Sequence, residues 1–307
     1  MRSPRTWLLA CAAALLAAAC GGSSDSGVTI LVSRDFGETH LQPSKDATAG
    51  DGTVLDLLQK DFDVRTGLGS SVQEIDGLSN GRSEGRRADW SYFVNGIAAP
   101  EKAADRKLYP GDRVWWDHHD IQTTARVPAV VGAFPEPFLS GSQGKRFPIR
   151  LVCLSGAGRS CDEVERRLQN EDVNALARSN LEQSVGEVLR ILVGPWSQLR
   201  KDIAARSLEY GPAKSGVFAK PDPSGKRIAL LDATGRTVRV LGPGSGLVAA
   251  TTFTGQQPTW IVTGTDGVGV AAAAAALTED ELDGHFAVAI DSGKGVALPV
   301  KSPGGTL

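Results

Sequence analysis

Few residues of this chain combine the types and spacing that catalysis or metal binding requires. The stretch Asp117-His-His-Asp120 offers metal-ligating side chains. Neighbouring residues of a β-strand point to opposite faces, so His118 and His119 do not easily share an ion. Asp117 and His119 together supply two ligands, whereas a site needs three or four. We therefore predict a solvated strand end here and no metal site.

Motifs for nucleophilic or phosphate chemistry are equally sparse. Gly81-Arg-Ser-Glu-Gly85 fits the motif G-x-S-x-G, but polar loop flanks it where a nucleophile elbow needs a strand and a helix. Gly242-Pro-Gly-Ser-Gly246 joins two predicted strands instead of opening a helix, so we predict a turn and not a phosphate cradle. We predict no enzyme activity and no cofactor.

The chemistry that remains is aromatic. Trp90 and Tyr92 share a face of one predicted strand, and Phe93 lies on the other face. The adjacent Trp115 and Trp116 divide in the same way between the faces of a second strand. A small sheet with its helix on one side buries only one face. The other face is either covered by a linker or a second domain, or exposed as a platform for a flat ligand. The candidate ligand-binding residues are Trp90, Tyr92, Trp115 and Trp116.

The N-terminus has the features of an export signal. Residues 1–19 contain two arginines, an apolar run of about 13 residues and small residues before a cleavage site, which is typical of a signal peptide. The run is shorter than the roughly 18 to 20 residues that cross a bilayer as a helix. Leu16-Ala-Ala-Ala-Cys20 resembles a bacterial lipobox, with its leucine one place further from the cysteine than usual. We predict a lipid anchor on Cys20; the alternative is an ordinary signal peptide with a cysteine near the cleavage site.

Two cysteines are left for the folded part of the mature chain. Cys153 and Cys161 are separated by seven residues. In an exported protein this pair most simply closes a small disulfide loop. A redox or metal role fits less well, because the spacing is not C-x-x-C and no histidine lies nearby in the sequence.

Length and charge restrict the remaining classes. The chain of 307 residues is long enough for two domains, and 41% hydrophobic and 22% charged residues are typical of soluble globular proteins. Cleavage removes Arg2 and Arg5, so the net charge changes from −2 to −4. An excess of positive charge is what nucleic acid binding requires, so we expect no nucleic acid partner.

The mature chain divides into two predicted domains. Residues 20–27 form a flexible tether, 28–124 an α+β domain, 125–147 a Pro/Gly-rich linker, 148–300 an α/β domain and 301–307 a tail. The second domain contains signals for both hairpins and crossovers, which predicts a mixed sheet.

Helices are predicted from apolar spacing and capping residues. In the first domain, Thr53 is a candidate N-cap for a helix that ends near residue 60. In the second domain we predict helices over 162–179, 197–208 and 268–282, the last capped by Asp266.

Four motifs of the first domain occur in an order that suggests a family. They are Gly52-Thr-Val-Leu-Asp-Leu-Leu58, Ile75-Asp-Gly77, Trp90-Ser-Tyr-Phe-Val-Asn-Gly96 and Gly111-Asp-Arg-Val-Trp-Trp116. They resemble the transcobalamin-like C-terminal domain family, a β-grasp-like unit found in vitamin B12 carriers and in many bacterial surface lipoproteins of unknown function. The resemblance covers roughly residues 28–120 and implies a β-grasp-like first domain. In the carriers this domain covers one face of the corrin ring, and a large helical domain, which nothing here resembles, covers the other.

The expected function is binding without catalysis. We expect an exported lipoprotein, anchored to the outer face of the cytoplasmic membrane, that presents a corrinoid-like or other flat nutrient to an uptake system. The alternative is a structural or protein-interaction module of the cell surface, in which Trp115 or Trp116 is buried against the linker or the second domain. A hydrolase in the second domain is a third alternative, which a cleft with clustered acidic residues would favour.

Overall fold

The computed structural model describes residues 27–42, 45–48, 52–83, 85–182, 186–253 and 255–302. The predicted signal peptide, the predicted lipidation site Cys20, the predicted tether except Gly27 and the end of the predicted tail lie outside these ranges. None of the helices within them is long and apolar enough to cross a membrane. The described part has an α+β fold with several sheets.

The N-terminal unit consists of a seven-stranded sheet, a three-stranded sheet, helix α1 (Val54–Asp61) and a 3-10 turn (Leu68–Ser70). Its strands are β1 (Gly27–Arg34), β2 (Thr39–His40), β3 (Lys45–Thr48), β4 (Val64–Thr66), β5 (Val72–Ile75), β6 (Leu78–Ser79), β7 (Gly81–Ser83), β8 (Arg86–Val94), β9 (Ile97–Ala98) and β10 (Arg113–Asp120). The larger sheet has the order β2-β1-β10-β8-β7, with β3 paired to β1 and β9 to β8. β1 runs parallel to β10, and β8 runs antiparallel to it.

Helix α1 begins at the predicted cap. The side chain of Thr53 accepts a hydrogen bond from the N–H of Asp56, and the carboxylate of Asp56 accepts one from the N–H of Thr53 at 2.8 Å. This capping box satisfies two N–H groups that a helix start leaves free. The bond from the Thr53 N–H, followed by that from its hydroxyl, lowers the pKa of Asp56. The helix packs against the sheet through Val54, Leu55, Leu57 and Leu58.

The two faces of the seven-stranded sheet pack against different partners. Because side chains alternate along a strand, Trp116 lies on the face that carries α1 and Trp115 on the opposite face, as predicted. Trp90 and Val94 belong to the α1 face. The opposite face continues into the second unit, where Phe286 joins the same hydrophobic core as Trp115.

The segment 125–147, predicted as a linker, packs inside the protein over much of its length. Val130, Val131 and Phe134 are at most 1% exposed. Its backbone bonds to both units, since the N–H of Val130 donates to Gly96 and the N–H of Val131 donates to Phe286. The apolar side chains of this segment therefore enter two cores without forming regular secondary structure: Val130 joins the core shared by both units, and Val131 and Phe134 join a core of the second unit.

The second unit contains another seven-stranded sheet and a separate three-stranded sheet. Its strands are β11 (Ile149–Cys153), β12 (Leu176–Ser179), β13 (Leu189–Pro195), β14 (Ala219–Pro221), β15 (Ile228–Leu231), β16 (Thr237–Leu241), β17 (Gly246–Thr251), β18 (Thr259–Gly264), β19 (Ala287–Asp291) and β20 (Lys294–Leu298). The large sheet has the order β12-β11-β13-β18-β17-β19-β20. The first four strands are parallel and the last three pair antiparallel, so the predicted mixed sheet is present.

The helices of the second unit are shorter than the sequence predicts. They are α2 (Gly158–Asn170), α3 (Trp196–Leu199), α4 (Ile203–Arg206), α5 (Pro212–Ser215), α6 (Gly267–Ala275) and α7 (Glu279–Leu282), with a 3-10 turn at Ser207–Tyr210. The prediction of one helix over 162–179 is wrong. α2 ends at Asn170, and residues 176–179 form β12 instead. Asp172 has a φ of +60°, which ends the helical path, and Val173 then enters the core beside Leu168.

The helices predicted over 197–208 and 268–282 are both interrupted. In the first, Asp202 caps α4 and forms a buried ion pair with Arg190 at 2.6 Å. In the second, Thr278 caps α7 after a break. In both cases a polar side chain satisfies the start of a new helix where the sequence pattern suggested continuation.

The Asp266 cap at the start of α6 is confirmed. The carboxylate of Asp266 accepts a hydrogen bond from the N–H of Gly269 at 2.9 Å. Its other oxygen accepts one from the N–H of Gly244 at 2.8 Å. Asp266 therefore fixes the start of α6 to the loop before β17.

Candidate functional site

The aromatic residues predicted to bind a ligand lie inside the protein. Trp90, Trp115 and Trp116 are 9%, 3% and 3% exposed, and Tyr92 is half-buried. On the α1 face, the rings of Tyr92 and Trp116 stack with their centres 4.8 Å apart. The hydroxyl of Tyr92 donates to the carbonyl of Glu101 at 2.7 Å, and burial raises its pKa. A hollow of about 340 Å³ beside Trp90 and Tyr92 is the open space next to these rings.

Trp115 packs against aromatic rings from both units. Its ring lies edge-on to that of Phe286, with 5.1 Å between the centres. Phe36 and Phe93 contact the same Phe286 ring at 5.2 and 5.5 Å. The indole Nε1 of Trp115 donates to the Oγ of Ser33 at 2.7 Å. The second unit thus covers the sheet face that the sequence left open as a platform.

A buried polar cluster lies on that same face. The carboxylate of Asp117 accepts a hydrogen bond from the Oγ of Ser33 at 2.6 Å, and His119 Nδ1 lies 2.8 Å from the carboxylate. The backbone N–H groups of Phe36 and Gly37 donate to it at 3.0 and 2.9 Å. Asp117 therefore lies between the hydroxyl of Ser33 and the imidazole of His119. A nucleophilic serine needs a direct hydrogen bond to the imidazole, so this arrangement does not activate Ser33. The cluster fixes the turn at residues 35–37 to β10.

The predicted solvated strand end at Asp117-His-His-Asp120 is wrong. Asp117, His118 and His119 are at most 4% exposed, because β10 lies inside the sheet and both of its faces are covered. His118 and His119 do lie on opposite faces: His118 Nε2 is 3.2 Å from the carbonyl of Ser79, and burial lowers its pKa. In the described ranges, no three or more His, Cys, Asp or Glu side chains are placed to hold a metal ion.

One open cleft lies where the two units meet. Its volume is about 550 Å³, and its polar lining includes His40, Arg113, Glu279, Asp280 and Asp283. The guanidinium of Arg113 donates to the carbonyl of Phe134 at 2.9 Å and to Glu279 at 2.5 Å. Arg113 is thus engaged in holding the two units together.

A larger cleft, which we name the α2–α6 cleft, lies in the second unit. Its volume is about 920 Å³. β11 and β18 run parallel on either side of β13, and each is followed by one of the two helices of the cleft, α2 and α6. Ligands of open α/β sheets bind at the carboxyl edge of the strands. α2 and α6 pack side by side and begin at this edge. The lining residues used below are Arg159, Ser160, Glu163, Asp266, Val268 and Ala271.

The loop between β11 and α2 forms one wall of this cleft. The predicted disulfide Cys153–Cys161 is present and joins the end of β11 to the first turns of α2. Gly156 has a φ of +81°, a conformation that favours glycine. A Cβ atom on Gly156 or Gly158 would meet no other atom within 4 Å, so this loop faces open space.

The sequence contained a signal for this cleft that the prediction did not use. Ser155-Gly-Ala-Gly-Arg-Ser160 follows a predicted strand and comes directly before a predicted helix. Glycines at such a junction let a ligand approach the backbone at a helix start. The predicted helix starts at residue 162, four residues after the actual start of α2, so the sequence pattern places this stretch inside the disulfide loop and not at a helix start.

Comparisons with known proteins identify the N-terminal part only as a domain without an assigned function. No curated protein matches the chain. Among solved structures, the chain is similar to one described as "Crystal structure of a putative metal binding protein from Ruminococcus gnavus ATCC 29149 at 1.30 A resolution", with 12% identity, 31% of this chain and 97% of that chain covered, and a TM-score of 0.27. Residues 51–120, which include α1 and β10, match the family model described as "Domain of unknown function (DUF4430)".

Proposed function

We propose that the mature chain is an exported, lipid-anchored protein that binds a ligand without catalysis, and that the ligand binds in the α2–α6 cleft. The observation that carries this proposal is the position of an open cavity of about 920 Å³ at the carboxyl edge of β11 and β18, between the helices that follow these strands. Cavities of several hundred Å³ at such an edge are typical ligand sites.

The two strands that carry the aromatic residues, β8 and β10, are called the aromatic strand pair, and they are not part of the proposed binding surface. A flat ligand such as a corrin ring needs an exposed aromatic face, and Trp115 and Trp116 are each 3% exposed. We therefore do not place a corrinoid on Trp90, Tyr92, Trp115 and Trp116. We still propose that the protein binds a nutrient, but we place the binding site in the second unit.

The N-terminal unit has a structural role in this proposal. The alternative function, a structural or protein-interaction module, required Trp115 or Trp116 to be buried against the linker or the second domain, and the contact of Trp115 with Phe286 supports it for this unit. A β-grasp-like fold of the transcobalamin-like type is supported by the parallel pairing of β1 with β10 and by α1 across the sheet. We propose that this unit supports the second one.

The acidic residues of the cleft favour binding over hydrolysis. Glu163 is held by Arg166 and Arg167, and the hydrogen bond from Arg166 lowers its pKa, whereas a general acid needs a raised pKa. Asp266 is occupied in capping α6 and in binding Gly244. Neither carboxylate is free for acid–base work.

The membrane anchor is tested separately from the ligand. Cys20 lies outside the described residues, and its lipidation is proposed from the sequence alone. We expect the mature N-terminus to carry an acyl modification by mass spectrometry, and Cys20→Ser to move the protein from the membrane fraction to the soluble fraction. A Cys20→Ser protein that stays with the membrane would contradict the anchor. The anchor would hold the ligand near an uptake system in the cytoplasmic membrane.

A fragment screen tests the ligand site. The ¹⁵N-labelled mature protein is mixed with a small-molecule library of neutral, cationic and anionic fragments and with cobalamin, and amide shifts are recorded. We expect binders to shift signals of residues 156–160 and 267–275. Ala271→Trp, at an exposed position of the lining, should remove these shifts, whereas Gln169→Trp at the far end of α2 should retain them. Shifts centred on β8 and β10, or no binder at all, would refute the proposal.

A further inference from the structure

We propose that the α2–α6 cleft is specific for a small organic anion, whose phosphate or carboxylate head binds at the first turn of α2 and whose apolar part lies along α6. This inference rests on the proposed function and adds the chemical class of the ligand. The nearest groups to the head are the backbone N–H donors of α2, the hydroxyl of Ser160 and the guanidinium of Arg159.

The first turn of α2 presents N–H groups without an acceptor. Ala157 at the N-cap has no side-chain acceptor to offer. In the described ranges, the N–H groups of Gly158, Arg159 and Ser160 have no hydrogen-bond partner, and the first bond of the helix is that from Cys161 to Ala157. Free N–H groups and the positive end of the helix dipole together attract an anion.

Ser160 points independently to a polar ligand. It is 8% exposed and lines the cleft, and its hydroxyl has no hydrogen-bond partner among the described residues. Its Oγ is not one of the fully buried polar atoms that lack a partner, so the hydroxyl is reached from the cleft and can donate to a ligand there. An anionic head at the first turn of α2 would accept this hydrogen bond together with those from the backbone.

The charges around the cleft restrict the head to the α2 side. Arg159 is an exposed cation of the lining that is not part of an ion pair in the described residues. The two carboxylates of the lining are already compensated, since Glu163 binds Arg166 and Arg167 and Asp266 accepts two backbone N–H groups. Asp266 would still repel a head placed at the start of α6, so α2 is the favoured side.

The opposite wall of the cleft is apolar. Val268, Ala271 and Ala275 of α6 line it, and Val268 is 69% exposed. An inorganic ion would leave this surface in water, whereas an alkyl or similar group attached to the anion would cover it. The site therefore favours an amphipathic anion over a free inorganic one.

The disulfide gives this site a fixed shape. Cys153–Cys161 spans the loop that carries Gly156, Gly158 and Arg159. A bridged loop loses less conformational freedom when a ligand binds, so the N–H groups are already oriented before the ligand arrives.

Calorimetric titration of the mature protein with four probes tests the inference: butyl phosphate, butyrate, inorganic phosphate and butanol. We expect butyl phosphate and butyrate to bind at least about tenfold more tightly than butanol, since a charge-assisted hydrogen bond is worth that much, and butyl phosphate to bind more tightly than inorganic phosphate. Arg159→Ala should weaken butyl phosphate binding about tenfold and Ser160→Ala about fivefold. Arg87→Ala, which removes an exposed arginine of β8, is the control and should change nothing.

The outcomes separate this inference from the proposed function. Binding of butanol as tightly as of the two anions, blocked by Ala271→Trp, would overturn the anion specificity and leave the cleft as a ligand site. Anion binding that is equally reduced by Arg87→Ala and Arg159→Ala would also overturn it, because net charge and not the site would then be responsible. The folded state of the Ser160→Ala protein is checked by its amide spectrum, which should match that of the wild type outside the cleft.

Discussion

The aromatic strand pair and the α2–α6 cleft differ in which side chains they expose. The aromatic strand pair buries its large side chains, whereas the cleft is open and lined by small and polar ones. β8 and β10 carry large aromatic side chains, yet Trp115 and Trp116 are each 3% exposed. The α2–α6 cleft is lined mainly by small and polar residues, and its Val268 is 69% exposed. Large rings on a sheet with two covered faces stabilise its cores, whereas small residues at the start of a helix leave space for a ligand.

The difference follows from what packs on each element. Both faces of the N-terminal sheet have a partner, α1 on one side and the second unit on the other. At the carboxyl edge of β11 and β18, the cleft lies between α2 and α6, and Gly156 and Gly158 place no side chain in it. Exposure is therefore decided by the topology and not by the aromatic content of a strand.

The largest expected effect comes from opening the covered face. Phe286→Ala removes a ring that contacts Phe36, Phe93 and Trp115, and should lower the free energy of unfolding by about 3–5 kcal/mol. Phe253→Ala, at a position 37% exposed, is the control and should cost far less. Urea unfolding of the mature protein measures both. Equal, small losses would mean that the second unit does not close the aromatic face.

Breaking the disulfide tests the cleft side of the comparison. Cys153→Ser with Cys161→Ser should lower the free energy of unfolding by about 2–3 kcal/mol, because the bridge restricts a short loop in the unfolded chain. Reduction of the wild-type protein should have the same effect, and reduction of the double variant should have none. A double variant as stable as the oxidised protein would show that the bridge does not order the β11–α2 loop.

The two adjacent tryptophans provide a finer test. The Nε1 of Trp115 donates to Ser33, whereas the buried Nε1 of Trp116 has no hydrogen-bond partner in the described residues. Trp115→Phe should therefore cost about 1 kcal/mol more than Trp116→Phe, which loses ring contacts alone. Urea unfolding of the two variants gives this difference directly. A larger loss of unfolding free energy for Trp116→Phe would contradict the placement of Ser33 and Asp117 on the same face as Trp115.

The smallest expected effect is a pH dependence from the α1 face. Burial lowers the pKa of His118 below its ordinary value of 6.5, so the unfolded chain takes up a proton first as the pH falls. The stability from neutral His118 is complete above that value and decreases as the pH falls through the lower pKa of the folded state. His118→Gln keeps a donor for the Ser79 carbonyl and cannot titrate in this range. It should lose less stability than the wild type between about pH 7 and about pH 5. Parallel pH profiles would contradict the burial of His118.

Local features of the fold could be predicted from the sequence. The opposite faces of Trp115 and Trp116, the caps Thr53 and Asp266, and the disulfide each depend on a few neighbouring residues. The alternation of a strand, the needs of a helix start and the chemistry of an exported cysteine pair are sufficient to infer them.

The candidate site could not be predicted in the same way. The covering of Trp115 depends on Phe286, which lies far away in the sequence, and no local pattern indicates such a contact. The end of α2 at Asn170 depends on the pairing of β12 with β11. The α2–α6 cleft requires both the order of the strands and the early start of α2 at Gly158.

The central claim is that the open ligand surface lies at the start of α2 while the aromatic pair is closed. Relaxation of the amide and indole signals of the mature protein by a soluble gadolinium chelate tests it most directly. The chelate should strongly relax the amides of Gly156, Gly158 and Arg159 and leave the indole N–H groups of Trp115 and Trp116 nearly unaffected. Indole signals relaxed as strongly as the Gly158 amide would contradict the account.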